Sequence, residues 1–83
     1  MTSSPMVLVV SKKIDCRWMY DPLPIFYLQD TLAQSRSGEI IEMLSNDPGS
    51  HLDMQAWSKM TGHAVLVVQY YDDYHRFLIQ KKS

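Results

Sequence analysis

Apolar and polar positions along this chain fall into blocks whose period switches between that of a strand and that of a helix. Residues 6–10 (MVLVV) are a continuous β-branched apolar run, which predicts a strand buried on both faces. Lys12 and Lys13 close it at a wet edge, Ile14 turns back toward the core, and residues 15–20 predict a loop. Ile25, Leu28 and Leu32 recur at helical spacing, with Phe26 and Tyr27 widening the stripe, so a helix is expected over 22–34. Its start carries its own signal, Asp21-Pro22-Leu23-Pro24. Proline has its φ preset and no N–H to lose, so it suits the first helical turn. Aspartate is a favoured N-cap. Asp21 is therefore expected as N-cap, Pro22 as N1 and Pro24 as N3, with an acidic group at the positive end of the helix dipole.

The second half repeats the alternation. Gly38 ends a turn, and residues 39–44 predict a strand. SNDPGS over 45–50 has loop chemistry, and 51–61 predict a second helix with Leu52, Ala56, Met60 and Trp57 as its buried stripe. Gly62 stops it. Residues 64–71 and 74–81 predict two strands joined by a tight turn at Asp72-Asp73, with Phe77 and Ile79 on one face and Arg76, Leu78 and Gln80 on the other. The order is β-α-β-α-β-β. Right-handed crossovers put both helices on one face of a four-stranded mixed sheet. The expected fold is an α/β (α+β) two-layer sandwich. It forms one domain over 6–83, behind a flexible segment 1–5.

Composition narrows the function. An apolar share of 46% over 83 residues suits one small globule, and 8 basic against 9 acidic residues give no pull toward nucleic acid or anionic lipid. The single cysteine, Cys16, excludes an intramolecular disulfide and points to the reducing cytoplasm. No apolar run approaches the roughly 20 residues of a membrane helix, and no signal-peptide pattern is evident. His51, His63 and His75 lack metal-ligand spacing, so neither a metal nor a cofactor is expected.

The stretch 15–32 also resembles a known family. TusA/SirA sulfur carriers have an Asp, two further residues, a Gly, and then a Cys-Pro-x-Pro motif opening the first helix. Asp15 matches the Asp, and Pro22-Leu23-Pro24 matches Pro-x-Pro. Trp18 stands at the Gly position and Asp21 at the Cys position. Gly38-Glu39, Asn46-Asp47-Pro48, Trp57 and Gly62-His63 follow in family order, so the resemblance covers about 14–81. It implies strand order 1-2-4-3, with the last strand antiparallel, and a motif Cys that carries sulfur as a persulfide between partner proteins. A helix N-terminus favours such a thiolate. A carboxylate at that position keeps the charge but is a poor sulfur nucleophile.

Each candidate residue has two readings. Asp21 is either an N-cap or a carboxylate that binds a partner. Cys16 is either a displaced carrier thiol, its thiolate favoured by Arg17, or a small buried hydrophobe. Trp18 is strained if its position needs positive φ. With Met19 and Tyr20 it forms either a protein-binding surface or a tuck under the loop. Asp15, Arg17, Pro22, Pro24 and Asp47 complete the candidate binding set. Two functions compete. One is an altered sulfur-relay or docking protein with protein partners, whose status as an enzyme the missing Cys puts in question. The other is a non-catalytic interaction or regulatory module that keeps only the fold.

Overall fold

The computed structural model describes residues 8–20, 22–46 and 50–82, with 50–52 described by their backbone alone. The elements are β1 (Val10–Asp15), α1 (Leu23–Ala33), β2 (Ile40–Ser45), α2 (Ser50–Thr61), β3 (Ala64–Tyr70) and β4 (His75–Gln80). They form one sheet in the order β1-β2-β4-β3, with β1 parallel to β2 and both other pairings antiparallel. Ile41 and Met43 pair with Ile79 and Phe77, so these four side chains share a face. Leu28 and Leu32 of α1 and Met54 and Trp57 of α2 enter the same buried cluster, which places both helices on that face. The two-layer sandwich expected from the element order is the fold observed.

Four expectations shift. β1 is not the apolar run. Leu8 and Val9 are exposed and lie outside any strand, and residues 6 and 7 lie outside the described residues, as does the segment 1–5. The strand is VSKKID, alternating half-buried and exposed, because an edge strand covered on one face needs period two rather than a continuous run. Asp15 thus ends a strand instead of opening a loop. Lys12 fits inside the strand because its ammonium reaches the end of α1, at 3.0 Å from both the Gln34 carbonyl and Ser35 Oγ.

On α1 the buried positions are Pro24, Leu28 and Leu32 with Ile25 half-buried, while Phe26 and Tyr27 face solvent. On α2 the buried residues are Met54 and Trp57, whereas Ala56 and Met60 are exposed and the side chain of Leu52 lies outside the description. The large indole sets the rotation of that helix. Leu78 is buried although it faces away from the helices, flanked in register by Glu42 and Val67. Near it Arg76 Nε donates to Glu42 Oε2 at 2.6 Å. Tyr71 N–H donates to the Tyr74 carbonyl at 2.8 Å, closing the turn over Asp72-Asp73.

Candidate functional site at the start of the first helix

The chain between β1 and α1 is tied to the end of β2. Cys16 N–H donates to the Leu44 carbonyl at 2.7 Å, carrying the β1–β2 pairing one residue further. Trp18 N–H donates to Asn46 Oδ1 at 2.8 Å, and Met19 N–H to the Cys16 carbonyl at 3.2 Å. Trp18 has φ +72°, the left-handed region that favours glycine. The tryptophan occupies the backbone conformation that a glycine at this position would suit. Its side chain is 82% exposed and that of Tyr20 is 85% exposed, whereas Met19 is half-buried against the core.

The helix begins one residue later than expected. Leu23 N–H closes onto the Tyr20 carbonyl at 2.9 Å, which leaves Pro22 at φ −98°, ψ 15°, in the bridge region. The Pro22 carbonyl accepts the first helical bond, from Phe26 N–H at 3.3 Å, so Pro22 is the cap residue and Pro24 the second helical one. Asp21 and Asp47 lie outside the described residues.

Arg17 and Asp15 form a two-pronged pair, Nε to Oδ1 at 2.9 Å and Nη2 to Oδ2 at 2.7 Å, with Arg17 N–H adding a bond to Oδ1 at 3.1 Å. The guanidinium lies 5.2 Å from the centre of the Tyr74 ring. Its hydrogen bonds hold the Asp15 carboxyl below its ordinary range, and Asp15 in turn raises Arg17. Arg17 therefore belongs to Asp15 and does not activate Cys16. Cys16 is 0% exposed and packs in the core cluster. Burial, and after it the Asp15 charge, pushes its thiol up to about 11. At neutral pH it is a protonated, inaccessible side chain.

Sequence reasoning missed Asn46 and Tyr74. Asn46 was visible only as part of a turn motif, and its short amide holding the Trp18 N–H depends on the parallel β1–β2 register. Tyr74 reaches Arg17 only because β4 lies two strands from β1 and its hairpin reaches the loop.

This architecture, with a Pro-x-Pro helix start above a four-stranded mixed sheet, defines a small two-layer α/β protein. Residues 12–81 match the family described as Sulfurtransferase TusA, and the chain belongs to that family. A putative sulfur carrier protein of Archaeoglobus fulgidus is 37% identical over 68 residues, covering 82% of this chain and 93% of the relative. Sulfur carrier protein TusA of Allochromatium vinosum is 31% identical over 70 residues, covering 84% and 92%. The crystal structure of a SirA-like protein from Desulfitobacterium hafniense superposes with TM-score 0.74 at 18% identity, covering 87% of this chain and 99% of that one, a likeness of fold.

Proposed function

We propose that this chain is a TusA-family protein that acts in the cytoplasm by docking to proteins of a sulfur relay and does not itself carry sulfur. One observation carries the reading: the only thiol, Cys16, is fully buried and hard to ionise, while Asp21 stands where the family motif has its Cys. Loading a carrier requires its thiolate to attack the outer sulfur of a donor persulfide. The carrier gains that sulfur and the donor leaves as thiolate, so atoms and charge balance. A carboxylate forms no such S–S bond, and a thiol sealed in the core meets no donor. What remains at the helix start is a surface built around Trp18, Tyr20 and the Asp15–Arg17 pair, with Asp21 and Pro22 next in sequence, Pro24 buried behind them, and Asp47 following the Asn46 that holds the Trp18 N–H.

The test is incubation with a cysteine desulfurase and cysteine, followed by intact-mass spectrometry. Wild-type protein is expected to gain no sulfur. Asp21→Cys in a Cys16→Ser background is expected to gain one, because the helix N-terminus would favour the new thiolate. Sulfur loading of the wild type that Cys16→Ser abolishes would overturn the reading and make Cys16 a relocated carrier.

A further inference from the structure

We propose that the outward face of α1 is the docking element, and that its partner is a protein presenting an apolar ridge flanked by lysine or arginine side chains. This rests on the docking reading above and adds the place and the chemistry.

α1 is apolar on two sides. Pro24, Leu28 and Leu32 face the core. Leu23, Phe26 and Tyr27 face outward and are 49%, 57% and 51% exposed. With Asp30 they follow the i, i+3, i+4, i+7 spacing of one helical face and line a shallow groove of about 190 Å³. Tyr20, bonded through its carbonyl to Leu23 N–H, extends the apolar surface past the helix start. A helix that is apolar all round is ordinarily buried all round. Trp18, 82% exposed, adds a further aromatic side chain at this end, and clustered exposed apolar surface marks an interaction site.

Charge selects the occupant. The strand register places Asp15, the hairpin residues Asp72 and Asp73, and the starts of α1 and α2 at one end of the molecule. Asp53 sits in the first turn of α2, and Asp30 lies beside the groove. Among the described residues, Asp30, Asp53, Asp72 and Asp73 are exposed and in no ion pair, although Asp30 Oδ2 accepts from Gln34 Nε2 at 3.2 Å and Asp73 lies in the field of Arg17, which is paired with Asp15. The two helix N-termini supply only about +0.5 charge each. Three of these four carboxylates lie outside any first helical turn, so helix dipoles do not account for them. A second copy fits poorly: Leu23–Ala33 contains no basic residue, so two such faces would oppose Asp30 to an acidic surface. An anionic membrane is disfavoured by the same sign. A basic partner satisfies both the groove, which Asp30 lines, and the acidic end of the molecule at which α1 begins.

The experiment uses two synthetic amphipathic helical peptides with identical leucine spacing, one with lysine and one with glutamate at every polar position, titrated into the ¹⁵N-labelled full chain. The lysine peptide is expected to bind and to shift the amides of Leu23, Phe26 and Tyr27. Its affinity is expected to fall about tenfold or more in Phe26→Ser/Tyr27→Ser, with the circular dichroism unchanged. Asp30→Lys should weaken it less, and the glutamate peptide should not bind. Equal binding of both peptides, shifts confined to the Asp72-Asp73 hairpin, or dimerisation through α1 seen by sedimentation would each overturn the proposal. Its failure is separable from that of the docking reading, since sulfur loading of the wild type strikes the latter and peptide binding bears only on the former.

Discussion

At the end of the molecule where the helices finish, three lysines are bonded inward. Lys12 Nζ reaches the Gln34 carbonyl and Ser35 Oγ at 3.0 Å, Lys81 Nζ the Ser35 carbonyl at 2.6 Å, and Lys82 Nζ the Thr61 carbonyl at 2.9 Å. These are the places where helix carbonyls lack internal partners and the dipole is negative. His63 joins them: its Nδ1 accepts from Lys82 N–H at 3.1 Å and its ring stacks on Trp57 at 5.5 Å. Burial and the two lysine charges lower its pKa, which keeps it neutral. At the other end a tryptophan is held at positive φ and aromatic rings face water, and among the described residues Asp53, Asp72 and Asp73 form no ion pair. The same fold closes one end with its own side chains and leaves the other open. The closed end contributes stability, and on the docking reading proposed above the open end is left for contact.

Truncating one aromatic residue from each end tests that division most severely. Trp57→Ala removes an indole from the core beside His63 and is expected to cost about 3–5 kcal/mol in urea denaturation. Phe26→Ala, a comparable deletion on the open side, is expected to stay within about 0.5 kcal/mol of wild type. Similar losses at the two sites would erase the distinction. Such a small domain has little stability in reserve, so the Trp57 variant is also expected to lose its cooperative transition at a much lower denaturant concentration.

Cys16 lies beneath the open end, and its titration sharpens the boundary between surface and core. The folded-state thiol stands at about 11, above its ordinary value of 9.0, because burial penalises the thiolate. Between those two values the folded state holds more protons than the unfolded one, so stability falls as pH rises. The contribution is fully present below pH 9 and is lost as pH climbs through about 11, with a total on the order of 2 kcal/mol. The measurement is therefore the difference in pH slope between wild type and Cys16→Ala across that window. An identical slope would place the thiol at the surface after all.

Much of this was legible beforehand because it is local. Gly38 and Gly62 read as left-handed turns, and they stand at φ +86° and +85°. The element order alone dictated the layers. What failed was rotation and register, which depend on partners. MVLVV has a better strand composition than VSKKID, yet Leu8 and Val9 lie outside any strand while Val10–Asp15 pairs with β2, with Lys12 bonded to the end of α1 across the sandwich. Leu52, Ala56 and Met60 share a helical stripe, but the bulk of Trp57 and Met54 turns α2 so that Met60 points out. Phe26 and Tyr27 read as core because apolar periodicity registers hydrophobicity and not the side that is covered. A helix apolar on two faces looks, in sequence, like a more deeply buried helix. At the site, the positive φ at Trp18 was foreseeable from the glycine it replaces, but the Asn46 and Tyr74 contacts arise only once β2 and the β3–β4 hairpin are in place.

The smallest expected effect concerns Trp18. A non-glycine residue in the left-handed region costs about 1–2 kcal/mol through the contact between its Cβ and a backbone carbonyl. At ordinary positions glycine is the less stable choice by about 0.5–1 kcal/mol, because the unfolded chain gains freedom. Comparing Trp18→Gly with Trp18→Ala cancels the loss of the indole, which is mostly in water and contributes little packing. The usual order should then reverse, with the glycine variant more stable than the alanine variant by about 1 kcal/mol in chemical denaturation. The Asn46 bond to the residue 18 N–H is a main-chain contact, so it survives in both variants and holds the loop in the same conformation. An alanine variant as stable as the glycine variant would show that the loop relaxes once the tryptophan is gone, and that the strain belonged to the side chain. The reversed order would show that the backbone is fixed from outside. In that case the exposed indole is carried at a cost in stability, as expected where an open end keeps a contact residue that folding does not require.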